Sequence, residues 1–228
     1  EIMERHSERL QARAKGHPQT YADDMAAIES ITDGLKRGEP VRRMTLSESQ
    51  LAVMGQVDLL TSKPVLYVAN IGEDDLPEGG ALAASVRQRA AEQGAQAVAL
   101  CAELEAELAA WEPDEAAAYR QELGLTAPGL TRFIQAGYSL LDLFTFFTTT
   151  GSKEVRAWTL VRGQTAIEGA AKIHTDMARG FIRAEVVSYG DLDGSGSVAA
   201  ARDLGRLRLE GRDYVIQDGD VVHIRFNV

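Results

Sequence analysis

Two short runs constrain this chain more than any other feature: PVLYVANI at 64–71 and AQAVALCA at 95–102. Each is almost continuously apolar, which is how a strand covered on both faces reads. A helix fits 81–93 between them, closed by Gly94. A strand, a helix and a strand in that order pair the strands in parallel and lay the helix across them. Parallel α/β pairing is therefore expected for about 51–143. Open α/β sheets bind ligands beyond the carboxyl ends of their strands. Asn70 and Cys101–Ala102 stand at two such ends.

The flanking segments read differently. Residues 1–38 predict a charged helical hairpin, broken at GHP (16–18) and resumed with Met25, Ile28, Ile31 and Leu35 at helical spacing. Thr20 with Asp23 resembles a capping box, and Gly38 then Pro40 is the usual stop order. A further helix fits 45–64, capped near Ser47. Residues 103–125 read as helical with a break at Pro113, and 127–143 as another helix. The tail alternates: a strand at 154–161, a helix at 166–180, a strand at 181–189 and a loop at 190–197. A hairpin is expected from 214–216 and 221–226, across Gln217–Asp220. A strand-rich unit of this length with one main helix suggests a β-grasp fold. FTTTGSKE (147–154) reads as the boundary before it.

Charge narrows the partners. Residues 1–147 hold 13 Lys and Arg against 23 Asp and Glu, while 148–228 hold 11 of each. The acidic first part argues against polyanion binding there, because phosphates need cations. A nucleic-acid contact is expected only in the second part, where Lys153, Arg156, Lys172, Arg179 and Arg183 follow one another. The alternative is a mixed surface balanced by Glu154, Glu168, Asp176 and Glu185. The single cysteine, Cys101, excludes an internal disulfide. No apolar stretch is long enough for a membrane helix. The chain opens at Glu1 in mid-helix with no capping residue, and so is expected to belong to a longer protein.

Asn70 reads equally as a turn residue and as a reader of a purine edge. Its side-chain amide can bond a ring nitrogen and also tie two loops together. Glu73 sits three residues on. A carboxylate there accepts from guanine N1 and N2, whereas adenine has no N2 donor and offers a lone pair at N1. Glu is one methylene longer than Asp, so the same backbone need not aim it at the base.

Other motifs carry less. Asp191, Asp193, Ser195 and Gly196 imitate the start of a calcium loop, but Arg202 stands where a bidentate acid is needed. His174 has no paired Cys or His and reads as a structural hydrogen-bonder. No G-x-x-x-x-G-K-[ST] occurs, and Gly-Ser-Lys at 151–153 has the wrong order and flanks. No catalytic residue and no metal ligand is therefore assigned.

LTSKPVLYVANIGEDDL, VALCAELEAEL, AAKIHTDMARGFIRAEVVSY and the terminal GRDYVIQDGDVVHIRFNV resemble the YchF, or Obg-like ATPase, family, called EngD in bacteria. The resemblance runs in order along the chain. It implies a P-loop NTPase with a helical coiled-coil insertion and a C-terminal TGS domain of β-grasp type. On this chain it implies the insertion at 1–50, the second half of the nucleotide-binding domain at 51–147, and TGS at 148–228. It implies that Asn70, Ile71 and Glu73 form the base loop, with Ile71 against adenine, and that Cys101 and Ala102 form the second base loop. ATP, with GTP less favoured, and Mg2+ are implied for the full-length protein, with the Mg2+ ligands outside this chain. A cytoplasmic monomer that meets the ribosome, through its large subunit or its RNA, is implied as well. Two alternatives stay open: an RNA-docking module in which nucleotide chemistry is secondary, and a TGS regulatory region of a synthetase or alarmone enzyme.

Overall fold

The structure, a computed structural model, describes residues 1–15, 18–150 and 154–227. Its backbone contacts divide the chain into two compact units, Glu1–Gly129 and Leu130–Val228. The division falls earlier than the expected boundary at 147–154.

In the first unit, α1 (Ile2–Ala14) and α2 (Ala22–Lys36) make the expected hairpin, joined through a 3-10 turn at Pro18–Tyr21. That turn carries Thr20, so Tyr21 becomes the cap residue and the Thr20–Asp23 box does not form. Ile28 and Ile31 are buried in one core with Met3, Leu10, Val53 and Leu59. The hairpin's core thus extends past residue 50. α3 (Glu48–Met54) starts on a full capping box from Ser47 and Gln50. It ends at Gly55, short of the expected 64.

β1 (Leu66–Asn70) and β2 (Gln96–Leu100) pair in parallel, with Asn70 opposite Leu100. α4 (Gly80–Glu92) connects them and packs on both. Gly94 follows at φ 64°, a left-handed turn that glycine adopts without strain. The strands are half-exposed rather than covered on both faces, and Val68 is 44% exposed. Each has a single strand neighbour among the described residues. α5 (Ala102–Leu108) and α6 (Pro113–Glu122) follow, with Pro113 opening α6 where its missing N–H costs nothing. Leu104, Leu108, Ala116 and Leu125 bury together with Cys101.

The second unit is a mixed five-stranded sheet. α7 (Gly129–Leu140) leads into β3 (Leu143–Thr150), which pairs antiparallel with β4 (Glu154–Val161). α8 (Ala166–Ile173) and α9 (Thr175–Arg179) come next, then β5 (Phe181–Ser188). α10 (Tyr189–Ser195), α11 (Val198–Asp203), β6 (Arg208–Glu210) and β7 (Asp220–Phe226) complete the unit. The strand order is β4-β3-β7-β5-β6. Phe144, Phe146, Leu160, Ala184, Val186 and Val222 meet α8 through Ala166 and Ala170 in its main core.

Three expectations change here. Residues 190–195 lie in helix α10 rather than a loop, because the Ser188 hydroxyl caps it at Asp191 N–H, and only Gly196 and Ser197 stay outside a helix. Asp191 is bonded by Ser188 and Arg206, with its carboxyl held below its ordinary range by those bonds. The 214–216 segment does not form a hairpin with β7. Val215 makes only an isolated bridge to Thr165, while β7 pairs with β3 and β5. Residues 143–147, expected in the first domain, lie in this sheet.

Glu185 is nearly buried on β5 between Arg225 and Arg202, at 3.2 Å from each. Burial alone would raise its carboxyl. The Arg225 bond and the charges of Arg225, Arg202 and His223 outweigh it and hold the group below its ordinary 4.5. A depressed folded-state carboxyl contributes stability that is complete above the unfolded value and lost as pH falls through the folded one. The unfolding temperature should therefore drop on acidification below about pH 4.5. Glu185→Gln should be less stable at pH 7, with the gap closing toward pH 3. Thermal melts across that range check it; a constant gap would contradict it.

Candidate functional site

The site is built at the two strand tips of the first unit. β1 ends at Asn70 and β2 at Leu100, and the next residues turn toward each other. The Ile71 N–H donates to Leu100 O at 3.0 Å. The Ala102 N–H donates to Asn70 Oδ1 at 3.0 Å. That second bond reaches across 32 positions of sequence and ties the two loops together. It also uses one of the free N–H groups at the start of α5, so Asn70 serves as a cap supplied from another strand.

The described geometry brings Asn70, Ile71, Glu73, Cys101 and Ala102 into one neighbourhood. Ile71 packs on the cluster of Cys101, Leu104 and Leu108. Cys101 is a buried free thiol at the base of the second loop, and Ala102 is exposed. Glu73 opens a 3-10 turn, Glu73–Asp75. Its carboxylate accepts a 2.8 Å hydrogen bond from the Tyr119 hydroxyl on α6. That bond, followed by the carboxylate's charge, pushes the Tyr119 phenol above its usual range. Glu105 on α5 accepts from Gly129 N–H at 2.6 Å and pairs with Arg120 at 3.5 Å, which anchors the second loop from below. Tyr119 and Glu105 carry no sequence signal, since their partners lie far off in the chain.

The basic residues of the second unit do not act alike. Arg156 pairs with Glu154 at 2.8 Å, and Arg179 pairs with Asp176 at 2.9 Å. Lys172 and Arg183 are exposed, and Arg183 stands opposite Arg225 across β5 and β7. Lys153 lies outside the described residues, as does the Gly151–Ser152 part of the boundary segment. His174 caps α9: its Nδ1 accepts from the Asp176 N–H at 3.1 Å. Among the described residues, no three His, Cys, Asp or Glu side chains are grouped to hold a metal ion. No helix among them is long and apolar enough to cross a membrane.

Comparison with known proteins agrees with this architecture. A family model, YchF-GTPase_C, described as "Protein of unknown function (DUF933)", matches residues 143–227. The ribosome-binding ATPase YchF of Bacillus subtilis is 42% identical over 230 residues, covering 100% of this chain and 63% of that protein. The ribosome-binding ATPase YchF of Pasteurella multocida is 44% identical over 225 residues, covering 99% and 61%. The solved Schizosaccharomyces pombe YchF GTPase superposes with a TM-score of 0.84 at 27% identity, over 98% of this chain and 61% of that one. The chain thus spans a little over three fifths of the relatives it matches. Fold and strand-tip geometry define a mixed α/β protein of the kind that the GTPase neighbour represents. Within that class, the chain belongs to the YchF family.

Proposed function

We propose that this chain supplies the base-reading half of a cytoplasmic, ribosome-associated nucleoside-triphosphatase that prefers ATP to GTP. Asn70, Ile71 and Glu73 form one wall of the base slot, and Cys101 and Ala102 form the other. Under this reading, α1 and α2 are a coiled-coil insertion, and the five-stranded sheet with α8 is a β-grasp domain of TGS type. The single observation that carries it is the bond from Ala102 N–H to Asn70 Oδ1, which joins two parallel strand tips where α/β sheets take ligands. Ribosome association is supported by the names of the relatives. Lys172 and Arg183 are the exposed cations of the second unit best suited to an RNA contact. Phosphate chemistry belongs to other parts of the full-length protein. Under this reading the Mg2+ ligands, like the phosphate-binding loop, lie outside this chain.

Calorimetry of the full-length protein with ATP tests the base slot. Asn70→Ala removes the tie between the loops and the amide that meets the purine. ATP affinity should fall about tenfold, the scale of one good hydrogen bond. Unchanged affinity would remove Asn70 from the base site.

A further inference from the structure

We propose that Tyr119 is a positioning residue for purine selection: its hydroxyl pins the Glu73 carboxylate onto α6 and keeps it from a guanine edge. The inference rests on the reading of 70–73 as the base loop. Glu73 is the residue of that loop able to tell guanine from adenine. Guanine presents N1–H and an N2 amino group, and a free carboxylate accepts from both at once. Adenine presents neither, and its N1 lone pair is repelled by a negative charge placed at that edge. Where the carboxylate goes therefore decides whether guanine gains.

The Glu73 carboxylate is held at α6. Its Oε1 accepts from the Tyr119 hydroxyl at 2.8 Å. The Tyr119 ring is fixed in turn. It packs on the cluster formed by Cys101, Leu104, Leu108 and Ala116, and it lies 5.4 Å from the Trp111 ring at 42°. Glu73 starts a 3-10 turn, which sets the direction in which its side chain leaves the backbone. One of the two oxygens needed for bidentate acceptance is thus already engaged, by a group that cannot easily retreat. Guanine loses its advantage, and adenine meets a carboxylate drawn aside.

Tyr119→Phe tests this, because it deletes the hydroxyl and keeps the ring that packs the core. Calorimetry on the full-length protein with ATP, GTP and inosine triphosphate gives the readout. The GTP-to-ATP affinity ratio should rise about fivefold or more, the scale of a charge-assisted hydrogen bond. Inosine triphosphate, lacking the N2 amino group, should gain less than GTP. Adding Glu73→Ala to Tyr119→Phe should return the ratio to that of Glu73→Ala alone. A ratio unmoved by Tyr119→Phe overturns the inference, and so does a parallel loss of all three affinities, which marks a structural role. Failure of the unsubstituted protein to bind any of the three nucleotides overturns the base-loop reading itself, and the inference with it.

Discussion

Phe146→Ala should remove about 3–5 kcal/mol from the stability of the second unit, the range for deleting a buried aromatic ring. Phe146 is fully buried at the centre of β3. Its strand partner is Trp158 on β4, and its ring reaches α8, where a Cβ on Gly169 would lie 3.6 Å from it. The void would open between sheet and helix, and neither can collapse into it. β3 is held by β4 and β7, and α8 is anchored by its capping box from Thr165 and Glu168. A domain of ordinary stability has only about 5–15 kcal/mol in all, so the loss is a large fraction. The chain has two tryptophans, one in each unit. In a Trp111→Phe background, Trp158 fluorescence during urea unfolding reports on the second unit. The midpoint should fall with the slope unchanged. A midpoint shift that, multiplied by the slope, amounts to less than about 1 kcal/mol would mean that Phe146 is not the centre of this core.

How the sequence misleads around Phe146 is instructive. FTTTGSKE reads as a boundary because threonine, serine and glycine crowd together there. Threonine is also β-branched and suits a strand. Pairing with β4 and β7 decides the matter for 143–150. The same competition appears at 190–197. Glycine, aspartate and serine there suggest a loop, yet Ser188 and Ser197 cap two short helices. Asp-Gly at 218–219 suggests a tight hairpin, but β7 finds better partners in β3 and β5. By contrast, the strand-helix-strand unit and its tips were legible, because length and apolar continuity fix them locally. Within the candidate site, Asn70 is legible as the residue that ends β1, whereas Cys101 and Ala102, read as the end of the second strand, cap and open α5 just beyond it. The bond between Tyr119 and Glu73 spans 46 positions and depends on how α6 packs, which no local pattern encodes.

Gly180→Ala should destabilise the second unit by about 2–3 kcal/mol, an overpacking cost at the upper end for so small a change. The backbone at Gly180 is ordinary, with φ −93°, so conformational freedom is not the reason for glycine. Space is the reason. A Cβ there would overlap the carbonyl of Asn227, with the carbonyl carbon at 2.7 Å and the amide nitrogen at 3.1 Å. These are backbone atoms, so no rotamer change relieves them. They are also bonded to Gly180: the Asn227 N–H donates to Gly180 O at 2.9 Å. Opening the contact breaks that bond and strains the Phe181–Phe226 pair that starts the β5–β7 ladder. Two runs that are distant in sequence, ARGFIRAEV and RFN, thus meet at this point. The same substitution at Gly190 supplies the contrast. Gly190 lies inside α10 with nothing within 4 Å of a built Cβ. Gly190→Ala should be neutral or stabilising by up to about 1 kcal/mol, because alanine favours the helix. Trp158 unfolding curves for both variants make the comparison, and hydrogen exchange at the Asn227 amide reads the local break directly. If Gly180→Ala matches Gly190→Ala in sign and leaves that amide protected, the close approach of Gly180 to Asn227 is not a constraint on the fold.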